Sequence, residues 1–265
     1  MQLFPGGDAP TNLEPSLAYT ASPLMIRNWL NDLRKIVADA QASGKVRKGK
    51  SIPWGQTDYI IWRDPYGDGS DKRDYEFQSV LTLATQLQIL VEEKALLAGH
   101  WEVVGRRPWA LVETDGTKLG QYHVLDLLIH GFTGKLLKCD ITGVPTYNCP
   151  TFGQLGVPTR GVPYLAVSAA RATNGDLCFL AINRDSKRTM PLRFDIGGFP
   201  AGETVKATAR TLSAPTMLSP PEEMTVTRKD LRLENTARRK KKLSVAYEFP
   251  PRSMTVLRLA KAASR

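Results

Sequence analysis

The sequence predicts an α/β segment followed by an all-β sandwich, within 265 residues. Three observations lead there. Residues 23–131 alternate helical and strand patterns, which implies parallel strands joined by crossover helices. From about residue 133, short strand-like runs follow one another without helical periodicity, which argues an antiparallel sandwich. Charge divides at the same place. Residues 136–265 hold 21 Lys/Arg against 10 Asp/Glu, a net of +11, whereas residues 1–135 hold 15 against 16. The two parts are accordingly residues 1–132 and 133–265.

Residues 1–21 are rich in Pro and Gly and read as loop. Ser22-Pro23 supplies an N-cap and a proline at the first helical position. Ile26, Trp29, Leu30, Leu33, Ile36, Val37 and Ala40 recur at helical spacing, so a helix is predicted over about 23–42, ended by Ser43-Gly44. Ser51–Trp62, SIPWGQTDYIIW, is an extended apolar run and reads as a strand. A second helix is predicted over 74–98. Phe77, Val80, Leu81, Ala84, Leu87, Val91 and Ala95 form one face, and Leu83, Leu90 and Leu97 widen it, as burial on more than one side requires. Gly99 stops it. His100–Val104 and Trp109–Val112 are short strand candidates. A third helix covers 119–131, with Tyr122, Leu125, Leu128 and Ile129 inward.

Strand-like runs then follow at 135–141, 164–172, 177–183, 190–196, 204–212, 223–227, 243–249 and 254–259. Asn174-Gly175-Asp176, Gly197-Gly198 and Pro220-Pro221 mark turns between them. The basic run Arg238–Lys242 lies between two strand-like segments and reads as a solvated hairpin tip.

Composition excludes several classes. Hydrophobic content of 42% describes a globular chain and not a disordered one. No apolar stretch approaches the roughly 20 residues of a membrane helix. The N-terminus has neither a basic n-region nor an apolar h-region, so no signal peptide is expected and a cytoplasmic location is favoured. Cys139, Cys149 and Cys178 have no metal spacing and read as reduced thiols. His100, His123 and His130 form no His-x-His or His-x-x-x-His unit. Neither a metal nor a cofactor is expected. There is no Gly-x-Ser-x-Gly elbow, P-loop or dinucleotide fingerprint.

One carboxylate stands out. Asp58 is embedded near the end of the apolar run 51–62, ahead of the turn-rich stretch RDPYGDGSDKRD and a long helix. A strand that ends in an acid and a loop, then feeds a helix, is how a barrel enzyme presents a catalytic group. The plain alternative is an acid that caps the loop after its strand. Asp64, Asp68, Asp71, Asp74 and Glu76 crowd that loop but lack the EF-hand pattern.

The C-terminal half, through Val162–Asp185 (VPYLAVSAARATNGDLCFLAINRD) and Tyr247–Leu259 (YEFPPRSMTVLRL), resembles the end of a family 51 α-L-arabinofuranosidase. His100–Leu128 is similar to the eighth strand and helix of that family's barrel. The resemblance implies the C-terminal part of a (β/α)8 barrel followed by a jelly-roll-like sandwich. It also implies a retaining hydrolase that removes terminal arabinofuranosyl groups from arabinan, arabinoxylan or their oligosaccharides.

The family's nucleophile is a Glu in a context like Glu-Tyr/Trp-Asn-apolar-Trp at the end of the seventh strand. The matching run here is Thr57–Trp62. Tyr59 and Trp62 keep the aromatic positions, while Asp58 replaces the Glu and Ile60 the Asn. Tyr59, Trp62 and Trp101 are the substrate-binding candidates, with core packing as the alternative for such aromatics. Retention requires a second carboxylate about 5 Å away. In the family it belongs to an Asn-Glu dipeptide, and none occurs in these 265 residues.

The expectation is therefore a fragment or incomplete enzyme, inactive alone. Its barrel piece would expose strand edges and apolar surface, and be completed by a missing barrel half or by homo-oligomerisation. Two other readings stand beside it. One is a non-catalytic carbohydrate- or protein-binding sandwich. The other is a nucleic-acid or acidic-glycan binder using Arg238–Lys242, weakened because aromatics are not interleaved with the basic residues.

Overall fold

A computed structural model describes residues 15–45, 47, 49, 53–59, 76–100, 102–107, 110–149, 159–199, 204–236 and 242–261; of Pro15 and residues 57–59 it describes the backbone only. The first elements are α1 (Pro15–Ala21), a 3-10 turn at Ser22–Leu24 and α2 (Met25–Ala42). Helix α1 lies where loop is predicted, in a stretch whose first fourteen residues fall outside the described ones. Its seven residues are too few for a helix stable on propensity alone. Burial supplies the rest: Leu17, Ala18, Tyr19 and Ala21 are all in the core. Along α2, Ile26 and Leu30 are buried but Leu33 and Ile36 are exposed, so only the first half of the predicted apolar face is covered.

Strand β1 (Gln56–Tyr59), α3 (Phe77–Glu92) and β2 (Ala98–His100) form a parallel strand–helix–strand unit. Its register sets Gln56 against Ala98 and Tyr59 against His100. Helix α3 ends at Glu92, six residues before its predicted end. Lys94 adopts φ 58°, and the N–H groups of Lys94 and Ala95 donate to Val91 and Leu90. That is a Schellman stop with Lys where Gly is usual, so the apolar periodicity runs past it unmarked.

Next come β3 (Glu102–Gly105), β4 (Ala110–Glu113) and α4 (Gly120–Gly131). Strands β3 and β4 are parallel, with Val104 opposite Val112. Only residues 106–109 join them, so no crossover helix intervenes. Helix α4 buries Gln121, Val124, Leu127 and Leu128, while Ile129, predicted to face inward, is exposed. The buried stripe follows Val124 and Leu127, both wholly inaccessible.

The remaining strands are β5 (Lys135–Leu137), β6 (Thr146–Cys149), β7 (Thr159–Pro163), β8 (Leu165–Arg171), β9 (Leu177–Asn183), β10 (Met190–Gly197), β11 (Thr204–Ser213), β12 (Thr225–Glu234), β13 (Lys242–Phe249) and β14 (Ser253–Leu259). A six-stranded antiparallel sheet runs β12-β11-β14-β9-β8-β5; β10 and β13 form a two-stranded ribbon, and β6 and β7 a hairpin. The hairpin was not predicted. Strand β12 starts after a 3-10 turn at Pro221–Glu223 and runs seven residues beyond the predicted 227. Its middle, Arg228-Lys229-Asp230, has no apolar alternation, which suits an exposed edge strand.

Every residue of β9 is buried, because the large sheet is a middle layer. Cys178, Leu180 and Ile182 face a core shared with α1, α3 and α4. Leu177, Phe179 and Ala181 face a second core under the β10–β13 ribbon. There the Phe179 and Phe194 rings lie 4.4 Å apart and Phe194 and Phe249 6.2 Å apart. Each such side chain contributes about 1.5–3 kcal/mol on burial.

The α/β part is open by contrast. Val103 and Val104 point to opposite faces of β3 and are 64% and 59% exposed. Parallel strands are ordinarily covered on both faces. Leu96 and Leu97, just before β2, are exposed too.

Candidate functional site

The parallel pairing of β1 and β2 brings their C-terminal ends side by side. Asp58 and Tyr59 therefore end a strand whose neighbour ends in His100. This is the edge at which α/β sheets present reacting groups. The backbones of Asp58 and Tyr59 lie in β1; their side chains, and Trp62 and Trp101 entirely, lie outside the described residues.

What holds this edge is well defined. At the start of β1, Gln56 N–H donates to Leu97 O at 3.0 Å, and Leu96 N–H to Trp54 O at 2.7 Å. The Gln56 side chain is buried and accepts from Gln86 Nε2 of α3 at 3.1 Å. Gly55 is crowded by Leu97, where an added Cβ would come within 2.8 Å of its Cγ. The N-terminus of α3, the far side of the loop after Asp58, is fixed by the sandwich. Phe77 N–H donates to Ser219 O at 3.0 Å and Gln78 N–H to Met217 O at 2.8 Å.

Ion pairs tie the surrounding elements together. Arg27 and Arg34 of α2 pair with Glu92 and Glu93 at the far end of α3. Arg107 pairs with Glu113 at 2.7 Å and reaches across to Glu222 of the sandwich. The Arg107 guanidinium is raised further above its usual range, first by the Glu113 hydrogen bond, and Arg107 holds Glu222 below the usual carboxylate range.

Sequence reasoning missed one buried group behind the site. Arg184, at the end of β9, is 1% exposed. Its Nη2 donates to Thr85 Oγ1 of α3 at 3.1 Å and its Nη1 to Pro163 O at 3.0 Å. Burial lowers its pKa against the opposing pull of Tyr147 and Glu92. The available signal was an Arg directly after an apolar run, LCFLAINRD. Next to it, burial tends to raise the Asp185 carboxyl, but the backbone N–H groups of Lys187 and Arg188 and the Arg188 guanidinium hold it below the usual range.

The other candidates disperse. His123 is half-buried, and desolvation lowers its pKa; His130 is exposed, 3.0 Å from Asp126. Cys139 is exposed, and Cys149 and Cys178 are buried thiols pushed up by burial; none of the three is in a disulfide. Among the described residues no group of three His, Cys, Asp or Glu could hold a metal ion, and no helix is long and apolar enough to cross a membrane. Of the basic run, Arg238–Lys241 lies outside the described residues, and Lys242 opens β13.

No family model matches this sequence, and no curated protein does. The fold does have solved counterparts. The arabinose complex of the α-L-arabinofuranosidase from Thermotoga maritima matches with a TM-score of 0.74 at 17% identity, over 96% of this chain and 51% of that one. The thermostable family 51 (GH51) enzyme from Thermotoga petrophila matches with 0.68 at 17% identity, over 91% and 49%. The GH51 arabinofuranosidase from Xanthomonas axonopodis pv. citri matches with 0.67 at 17% identity, over 98% and 51%. The chain thus spans about half the length of these three solved structures, and the resemblance read from the sequence holds for its fold.

Proposed function

We propose that this chain is a glycoside hydrolase-like protein related to retaining α-L-arabinofuranosidases, with the end of β1 as its reacting edge. The observation that carries the reading is the fold match over 91–98% of the chain to half of each of three arabinofuranosidases. The parallel unit β1–α3–β2, with Asp58 near the strand end, supports it from within. On this reading residues 1–132 are the last part of a (β/α)8 barrel and residues 133–265 a jelly-roll-like sandwich. Asp58 holds the nucleophile position, and Tyr59, Trp62 and Trp101 line the sugar site. The substrate is the terminal arabinofuranosyl group of arabinan or arabinoxylan.

A retaining reaction needs a second carboxylate about 5 Å from the first, acting as acid and then base. Asp58 is also one methylene shorter than Glu, and misplacing a reacting atom by about 1 Å costs on the order of 100-fold in rate. The chain alone is therefore inactive and requires the rest of a barrel. The missing Asn-Glu dipeptide favours a second reading, a non-catalytic module that binds carbohydrate. The purified chain and its Asp58→Asn variant, assayed on p-nitrophenyl α-L-arabinofuranoside, test whether the chain turns over substrate alone. Equal background from both proteins is expected. Turnover that depends on Asp58 would overturn the inactivity of the isolated chain.

A further inference from the structure

Helix α4 covers only part of the large sheet. Its end lies over Val256, where a Cβ on Gly131 would make contact at 3.0 Å. Beyond that point the same sheet face turns polar and basic. Cross-strand partners on β11 and β12 are Arg210 with Arg228, Thr208 with Asp230, and Lys206 with Arg232; Arg258 of β14 stands beside Thr208. Two of these three rungs therefore oppose like charges, which weakens strand pairing.

Carboxylates compensate three of the cations. Asp126 pairs with Arg210, Asp230 with Arg228 at 3.3 Å, and Asp176 with Arg258 at 2.8 Å. Lys206 and Arg232 have no carboxylate within 4.0 Å among the described residues. They stand opposite one another on the wall of a groove of about 470 Å³, which Thr208, Arg258, Asp176 and Asp230 also line. That volume lies in the range of small-ligand sites.

We propose that this groove binds the carboxylate of an acidic polysaccharide, with Lys206 and Arg232 as its cationic seat. Arg258, held by Asp176, fixes one side of the groove, and the Lys206–Arg232 rung, which has no carboxylate partner among the described residues, is relieved by an anion set between them. A nucleic acid fits less well. None of the nine lining residues is aromatic, so the groove offers no aromatic platform for a base. Asp176 and Asp230 would also oppose the dense phosphates of a duplex, about one charge per 1.7 Å. A polyuronate spaces one carboxylate per ring, and its hydroxyls can donate to those acids. The choice of a sugar polymer rests on the carbohydrate-directed reading above; the cationic seat does not.

The test is affinity electrophoresis of the purified 265-residue chain through gels containing polygalacturonate, with neutral arabinan gels as control. The expected result is retardation by polygalacturonate that weakens with added salt. Lys206→Gln with Arg232→Gln should weaken it by about tenfold. Removing a like-charge rung leaves the thermal midpoint unchanged or raised, so misfolding cannot account for the loss. Three results would overturn the proposal: no retardation by polygalacturonate, equal retardation of both proteins, or tighter binding of a short DNA duplex. A fourth would be loss of retardation on replacing Arg238–Lys242 with serines while the double Gln variant still binds as the parent does. The readout is binding, so absent hydrolysis in the Asp58 assay leaves it untouched, and its own failure leaves the arabinofuranosidase relation untouched.

Discussion

Arg184 is a cation held between α3 and the sandwich, 1% exposed. A buried charge persists only where its hydrogen bonds are met, and an apolar side chain of similar volume often replaces one without loss. Here two bonds are made, to Thr85 and Pro163, and Nε has no partner among the described residues. Arg184→Ala leaves a cavity between α3 and the hairpin and is expected to cost about 2–5 kcal/mol. Arg184→Met keeps the volume and should cost less than about 1.5 kcal/mol. Urea unfolding of both variants checks this; equal losses would show that the charge itself is required. At this scale legibility was uneven. Asp58 stood out because an acid interrupts an apolar run near a strand end. Arg184 did not, because an Asn-Arg pair at a strand end carries no sign in sequence that the fold buries it. Only the fold shows Asn183 tying Arg188, Phe249 and Pro250 together.

Helix α3 is the element on which the others converge, with every residue from Phe77 to Leu90 buried. Its width was visible in the leucines. The polar residues among them had no partner that sequence could supply. Ser79 donates to Tyr19, Gln86 to Gln56 and Gln88 to Ser168, from three different elements. Its crossing with α4 depends on Gly120, where an added Cβ would lie 2.4 Å from Val80 Cγ2 and 2.7 Å from Met224 Sδ. Gly120→Ala is therefore expected to cost about 1–3 kcal/mol, read as a lowered thermal midpoint. Strands β8, β9, β10, β11, β13 and β14 were legible to within a residue or so, whereas β5 stops four residues short of its predicted end and β12 runs seven beyond its own. The β6–β7 hairpin was not, because TYNC and TRGVP are short, polar and Gly/Pro-bearing. Helix α1 was hidden for a related reason: its burial is a tertiary effect.

The described residues stack in three layers, and the boundary between the two sequence textures falls inside a single core. Val80 and Leu127 from the first part meet Leu180, Ile182 and Val256 from the second in that core. Neither part can unfold without exposing the other's apolar face. Calorimetry should therefore give one endotherm with equal calorimetric and van't Hoff enthalpies. Two separated transitions would show independent units. The change of periodicity near residue 133 was legible because strand and helix periods differ; the shared core was not, because it depends on which faces meet. The contacts at the N-terminus of α3 give that union a direction. Ser219 and Met217 of the sandwich accept the first two N–H groups of α3, whose other flank leads back to β1. The sandwich is thus the datum from which the end of β1 is surveyed. A shift in the loop at 217–219 would be carried along a rigid helix to the strand that bears Asp58, so accuracy at that edge is inherited from a loop more than 150 residues downstream in sequence.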